Sequence, residues 1–300
     1  MNFIIYAITY PLAWLLSILP MPILYIISDF FYLIVYYVVG YRKKVVINNL
    51  RMAFPAKSDK EITKLSKAFF KHFIDLMFES IKMFSISEKE MLKRYKSINV
   101  ELVNNLAKKG KSIILVGAHK GNWEWSSSLP LVIDIPVYAA YTKLANPYFE
   151  KRIKKTRTQF NIGGIKSTEI VKKIHQKESN KEQAAYLLLS DQSPMLHKAH
   201  YWQKFFNIKV PVHTGAEMLA KRYDFAVVNY SARKVRRGYY ETEFTLITET
   251  PKDLGNFEIT DKYLSITEDS IKDQPAYYLW SHKRFKHKDR YDEWLASRKK

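Results

Sequence analysis

The residues able to do chemistry cluster at one point of this chain. In "SIILVGAHKGNWEWSSSLP" (Ser112 to Pro130) a short apolar run ends in a histidine, a lysine, a glycine, an asparagine and a glutamate. Near neutral pH, a histidine can take a proton from a hydroxyl and pass it to a leaving group. A carboxylate beside it fixes the imidazole tautomer and favours the protonated form. His119 and Glu124 supply that pair of residue types. On one ideal helix, residues five apart point about 140° away from each other. The chain must therefore turn between them. Gly121 permits the turn and Asn122 can cap a helix, which puts His119 on the turn and Glu124 in the first helical turn. Spacing alone is weak support, since chance supplies roughly 0.8 such His-x4-acid pairs in this composition. A second pair, His287 with Asp292, lies in a charged tail.

Such a cluster needs a scaffold behind it. Residues 113–116 are short, apolar and partly β-branched, which predicts a strand. Further strands are expected at 136–141, 184–189, 225–230 and 240–248, the last two joined through "KVRRG". Helices are expected at 42–56, 60–84, from Asn122, and at 146–160, 168–176, 215–222 and 257–272, with Ser58–Asp59 capping the second and "NIGG" closing the basic helix 146–160. Alternating strands and helices define an α/β domain with a mixed central sheet flanked by helices. Ligands bind at the carboxyl edge of such sheets. Two expected strand ends, at His119 and Asp191, carry polar clusters there.

Lys and Arg exceed Asp and Glu by 49 to 29, a net charge of +20. That balance suits nucleic acid, an anionic membrane surface or an acidic protein. No cysteine is present, which excludes thiol nucleophiles, disulfides and Cys-ligated zinc. The N-terminus separates the partners. Residues 1–28 hold no charge, Asp29 interrupts, "FFYLIVYYVVG" follows, and "YRKK" begins at Tyr41. This reads as a membrane-associated segment, 1–40, ahead of a domain at 41–300, with the buried helical hairpin of a soluble protein as its other reading. It lacks the basic start of a secretory signal. Pro11, Pro20 and Pro22 leave a spanning helix, a re-entrant hairpin and in-plane helices all open. Basic charge after Gly40 puts the domain on the cytoplasmic side. No nucleic-acid-binding module is recognisable, and the charge-free start favours membrane.

"GAHKGNWEW" resembles the H-x4-D/E motif of the lipid A secondary acyltransferases, the lauroyl/myristoyl transferases of Gram-negative inner membranes. The resemblance runs over nearly the whole chain. It continues through "NPYFEKRIKKTRTQFNIGG", which points to Arg157, and through "DQSP" (Asp191 to Pro194). "WQKFFN", "PVHTGAEMLAKR" and "WSHKRFK" complete it, the last with Trp280, His282 and Arg284. Glu124 stands where many relatives have Asp, and "FFN" where Phe-Phe-Gly is common.

The resemblance implies a glycerolipid-acyltransferase-like fold. It implies transfer of a fatty acyl chain from acyl carrier protein to a hydroxyl of a lipid A precursor. His119 would be the general base oriented by Glu124, and no cofactor is needed beyond the thioester co-substrate. Arg157 would bind a phosphate, with a solvated helix face as its other reading. Asn122, Asp191 and Gln192 would contact substrate; Asp191 alternatively caps "SPM". Trp123 and Trp125 would line the acyl groove, or else the core. Backbone N–H groups near residues 120–122 would serve the oxyanion. The implied partners are acyl carrier protein, anionic lipid and the acceptor lipid, at the inner membrane. The alternatives are a different lipid acceptor (a lysophospholipid, an amino-acid lipid or a glycolipid) and, in another class, a non-catalytic basic membrane scaffold.

Overall fold

A computed structural model describes residues 2–143 and 145–298, with the side chains of 153–155 left aside. Among the described residues the strands are β1 Tyr95–Ser97, β2 Ile113–Gly117, β3 Val137–Tyr141, β4 Gly163–Lys166, β5 Ala185–Leu189, β6 Tyr201–Phe205, β7 Ile208–Val212, β8 Ala226–Arg236 and β9 Tyr239–Thr248. Seven form one sheet in the order β1-β9-β8-β2-β5-β3-β4. Its neighbours are parallel except β8 and β9, which form an antiparallel hairpin. This is the mixed, helix-flanked α/β sheet that the residue pattern calls for.

β2 lies centrally and all five of its residues are buried. A strand covered on both faces reads as a continuous apolar run, as "IILV" does. Its side chains alternate between two cores. Ile114 and Val116 join Phe69, Phe70, Leu219, Ile259 and Tyr263 on one face. Ile113 and Leu115 join Val103, Leu106 and Leu129 on the other. The first core is built on the helices Lys43–Ala53, Asp59–Lys82, Gly215–Tyr223 and Glu258–Asp273. Ser58 caps the second of these through a capping box with Glu61.

Some elements differ from the expected ones. "NIGG" does not merely close a helix, because Gly163 and Gly164 begin the edge strand β4. Gly163 pairs with Tyr138 in register, and a Cβ at Gly163 would run into the Tyr138 ring. An aromatic ring covers the glycine, which lets this sequence serve as a strand. The β6–β7 hairpin is a further element that the residue pattern does not announce. Its two-residue turn, Phe206-Asn207, has φ of 52° and 59°, without the glycine that usually marks such a turn. Phe206 is held there by its N–H donating to Glu268 Oε2 at 2.6 Å and by ring contacts with Phe54 and Trp280.

The N-terminal segment forms a helix at Asn2–Ile18 and a second at Met21–Leu33, which runs on as a π-helical stretch, Ile34–Val39, to Gly40. Met21–Val39 is the one helix among the described residues long and apolar enough to cross a membrane, with a mean hydropathy of 1.8 and 17% of it buried. Its inner face carries Met21, Leu24, Tyr25 and Ser28 onto Asp59–Lys82. Ser28 Oγ donates to Asp75 Oδ1 at 2.8 Å. Asp29, the lone charge of the segment, accepts from Arg237 at 2.7 Å and lies 3.4 Å from Lys71 Nζ. Lys82 Nζ donates to the carbonyls of Ser17 and Leu19, capping the first helix. The outer faces expose Ile4, Ile8, Leu12, Ile26, Phe30 and Val38.

Candidate functional site

The register of the sheet assembles the site. Gly117, the last residue of β2, pairs with Leu189, the last residue of β5. His119 and Asp191 each lie two residues beyond, at the carboxyl edge of adjacent parallel strands. Ser190 N–H donates to Gly117 O at 2.9 Å and carries the pairing past the strand ends. The two side chains meet there: His119 Nδ1 lies 2.7 Å from Asp191 Oδ1.

A carboxylate only accepts, so Nδ1 carries the proton and donates to Asp191. Nε2 keeps its lone pair toward the cleft, 3.4 Å from the amide nitrogen of Gln192. Asp191 is 1% exposed. Burial works against its charge, but the neighbouring imidazole and its hydrogen bonds prevail and hold the carboxyl below its ordinary value. Burial likewise opposes the charged imidazole. The charge and hydrogen bond of Asp191, with a smaller contribution from Glu124, outweigh it and raise His119 above the ordinary histidine value.

The expected His119–Glu124 hydrogen bond is therefore replaced by one to Asp191. Glu124 faces the same cleft but is taken by Arg157, whose Nε lies 3.2 Å from Oε2 and whose Nη2 lies 3.1 Å from both oxygens. That fork-to-carboxylate geometry gives orientation as well as charge. Glu124 acts on His119 through its charge alone.

The turn between His119 and Glu124 forms as the residue types require. Gly121 has φ +61°, and a Cβ there would sit 2.9 Å from the Ala232 carbonyl oxygen. Asn122 is the N-cap, its Oδ1 accepting from Trp125 N–H at 3.1 Å. The element it starts is a 3-10 helix, Trp123–Leu131. The loop is stitched to a distant segment: His119 O accepts from Leu279 N–H at 3.0 Å, and Gly121 N–H donates to Tyr277 O at 2.9 Å.

Three expectations change with this geometry. The N–H groups of Lys120 and Gly121 are spent on Ala118 O and Tyr277 O, so they are not oxyanion donors. Asn122 is fully buried and its amide donates to Glu79 Oε2 at 2.7 Å, so it does not reach the cleft. Trp125 is fully buried too and donates from Nε1 to the Glu79 carbonyl. It belongs to the core. Trp123 does line the cleft, its ring edge-on to that of His119 at 5.4 Å. Arg157 and Gln192 line it as well.

The segment "WSHKRF" is more central than a basic tail would be. Asn49 Nδ2 donates to the carbonyls of Trp280 and His282. Ser193 N–H donates to His282 Nε2 at 3.2 Å. Burial, assisted by Arg284 and opposed by Asp191, pushes His282 down to about 4, so it stands neutral and accepting. Arg284 is 1% exposed and donates to Pro211 O. His282 holds the "DQSP" loop that carries Asp191, and Arg284 ties the segment to β7. Composition alone hid them, because lysines surround them in sequence.

The cleft has a volume of about 840 Å³. Ala139, Ile162, Leu187, Leu189, Val212 and Leu219 form apolar wall. Lys198, His200 and Arg222 add basic groups that the spacing of residues did not mark. Fold and cleft together define a class: an α/β protein with a histidine–carboxylate pair at the carboxyl edge of its sheet, opening into an apolar-walled cavity. A family model for the bacterial lipid A biosynthesis acyltransferases matches residues 2–287 of the 300, and the chain belongs to that family. A search of the curated proteins found no match.

Proposed function

We propose that the protein moves a fatty acyl chain from the thioester of acyl carrier protein to a hydroxyl of a lipid A precursor, with His119 as general base. The observation that carries this is His119 itself, with Nδ1 fixed by Asp191 and Nε2 facing the cleft. Nε2 takes the acceptor's hydroxyl proton as the oxygen attacks the thioester carbonyl. The carbon–sulfur bond then breaks and the imidazolium returns the proton to the thiolate, leaving an ester and a thiol. The Gln192 amide and the Arg157 guanidinium are the donors for charge developing on the carbonyl oxygen. Glu124 holds Arg157 in place and adds negative charge that steadies the imidazolium. Direct attack needs no acyl-enzyme, and the chain has no cysteine to form one.

The apolar walls at Leu187, Leu189, Ile162 and Leu219 suit the acyl chain. A net charge of +20 suits an acidic carrier protein and anionic headgroups. The exposed outer faces of the two N-terminal helices suit the apolar layer of the inner membrane, with the domain on its cytoplasmic side. The test is incubation of the full-length protein with acyl carrier protein thioester and a lipid A precursor. Mass spectrometry should show one acyl chain added to the lipid and none on the protein. A covalent acyl-protein, or an unchanged lipid, would overturn the reading.

A further inference from the structure

Beneath the reactive loop lies a buried carboxylate that the chemistry above does not use. Glu79, on the helix Asp59–Lys82, is fully buried. Its Oε1 accepts from Tyr25 OH at 2.7 Å, and its Oε2 accepts from Asn122 Nδ2 and Tyr240 OH, each at 2.7 Å. Its backbone carbonyl accepts from Trp125 Nε1 at 3.2 Å. Every partner donates, so the group is used as an acceptor only. About two turns earlier on the same helix, His72, also buried, donates from Nε2 to Gly121 O at 3.1 Å.

One residue thus grips both ends of the cap that sets Glu124 and Trp123 in the cleft. The same residue is gripped by Tyr25, which belongs to the apolar helix Met21–Leu33. We propose that Tyr25 and Glu79 are positioning residues for the reaction, so that this N-terminal helix is part of the scaffold of the reactive loop and not only a surface for lipid. The inference rests on the acyl-transfer reading of His119.

Apolar side chains of equal volume would join two helices without burying a charge, and buried charges are poor stabilisers. What the carboxylate adds is direction. It fixes the Asn122 amide, and through the Asn122 cap it fixes the turn between His119 and Glu124. Displacement of a reacting group by about 1 Å is enough to cost about 10²-fold in rate.

The test uses full-length protein in mixed micelles and separates kcat from KM. Tyr25→Phe should lower kcat about 10-fold, leaving KM for the acyl donor unchanged. Ser28→Ala removes a hydrogen bond of the same helix that ends on Asp75 rather than on the loop, and should hold kcat within about twofold. Tyr25→Phe should cost nothing further when added to Asn122→Ala, because both act through Glu79. Tyr240→Phe removes the neighbouring hydroxyl and carries the same prediction should Tyr25→Phe fail to fold. An unchanged kcat in the tyrosine variants, an equal loss in Ser28→Ala, or multiplying losses in the double variant would each overturn the proposal. His119→Ala in the same assay tells the two readings apart. If it is inactive while Tyr25→Phe is normal, only the positioning role falls; if it is active, the reading of the site falls with it.

Discussion

Nδ1 of His119 and Oδ1 of Asp191 lie 2.7 Å apart although 72 residues separate them. The parallel pairing of β2 with β5 makes this contact, and it sets which imidazole nitrogen is free. Both members depend on it, since desolvation disfavours the charge of each.

The pair gives a pH dependence of definite sign. A general base must be neutral to accept a proton, and His119 is raised above its ordinary value of about 6.5. Activity should therefore climb with pH through a midpoint above about 6.5. Asp191→Asn removes the main force that raises it and leaves burial to prevail. The midpoint should then fall, while the rate falls by about 10²–10⁴-fold because the tautomer is no longer fixed. A pH profile of kcat/KM for both proteins checks this. An unmoved midpoint would contradict the role given to Asp191.

Glu124 and Arg157 should behave as a unit. Glu124→Gln and Arg157→Ala each break the same forked pair, so the double variant should be little worse than Glu124→Gln alone. Arg157→Lys should not restore activity, since a lysine cannot reproduce the planar fork. Steady-state rates of the four proteins decide the matter. Full rescue by lysine would mean that only charge is needed at position 157.

How far the fold and site could be read from sequence depends on distance along the chain. The strand ending at His119, the Gly121 turn and the Asn122 cap are local, and their residue types announce them. The partnership of Glu124 with Arg157 and of His119 with Asp191 is set by packing between segments 33 and 72 residues apart, which local spacing does not encode. The signal for the second was present in another form: two polar strand ends of an α/β sheet can become neighbours. Trp125 and Asn122 illustrate the converse. Their place beside His119 invites a substrate role, yet Glu79 draws both into the core. The strand β4 and the β6–β7 turn stayed hidden because Tyr138 and the Phe54–Trp280 rings, remote in sequence, support their unusual residues.

Gly121→Ala should destabilise the protein and impair the site together. An alanine at φ +61° is strained, and its Cβ would press on the Ala232 carbonyl at 2.9 Å. The cost should be about 1–3 kcal/mol, read as a lowered melting temperature. kcat should fall further than stability alone explains, because Gly121 joins His119 to the cap. A variant with normal melting and turnover would show that the turn tolerates a side chain.

Membrane attachment should survive a high-salt wash. The outer faces of Asn2–Ile18 and Met21–Val39 are apolar, and apolar contact is not screened by salt, whereas headgroup attraction is. Fractionation with and without salt checks this. Release of the full-length protein by salt alone would leave basic charge as its only hold on lipid.

The most direct measurement is single-turnover acyl transfer by His119→Ala beside the unchanged protein, with saturating acyl carrier protein thioester and lipid A precursor and the acylated lipid counted by mass spectrometry. The chemical step should slow by about 10²–10⁴-fold while the variant keeps its melting temperature and still binds the carrier protein. Transfer at the unchanged rate would contradict this, because no proton would then need to pass through the nitrogen that Asp191 leaves free.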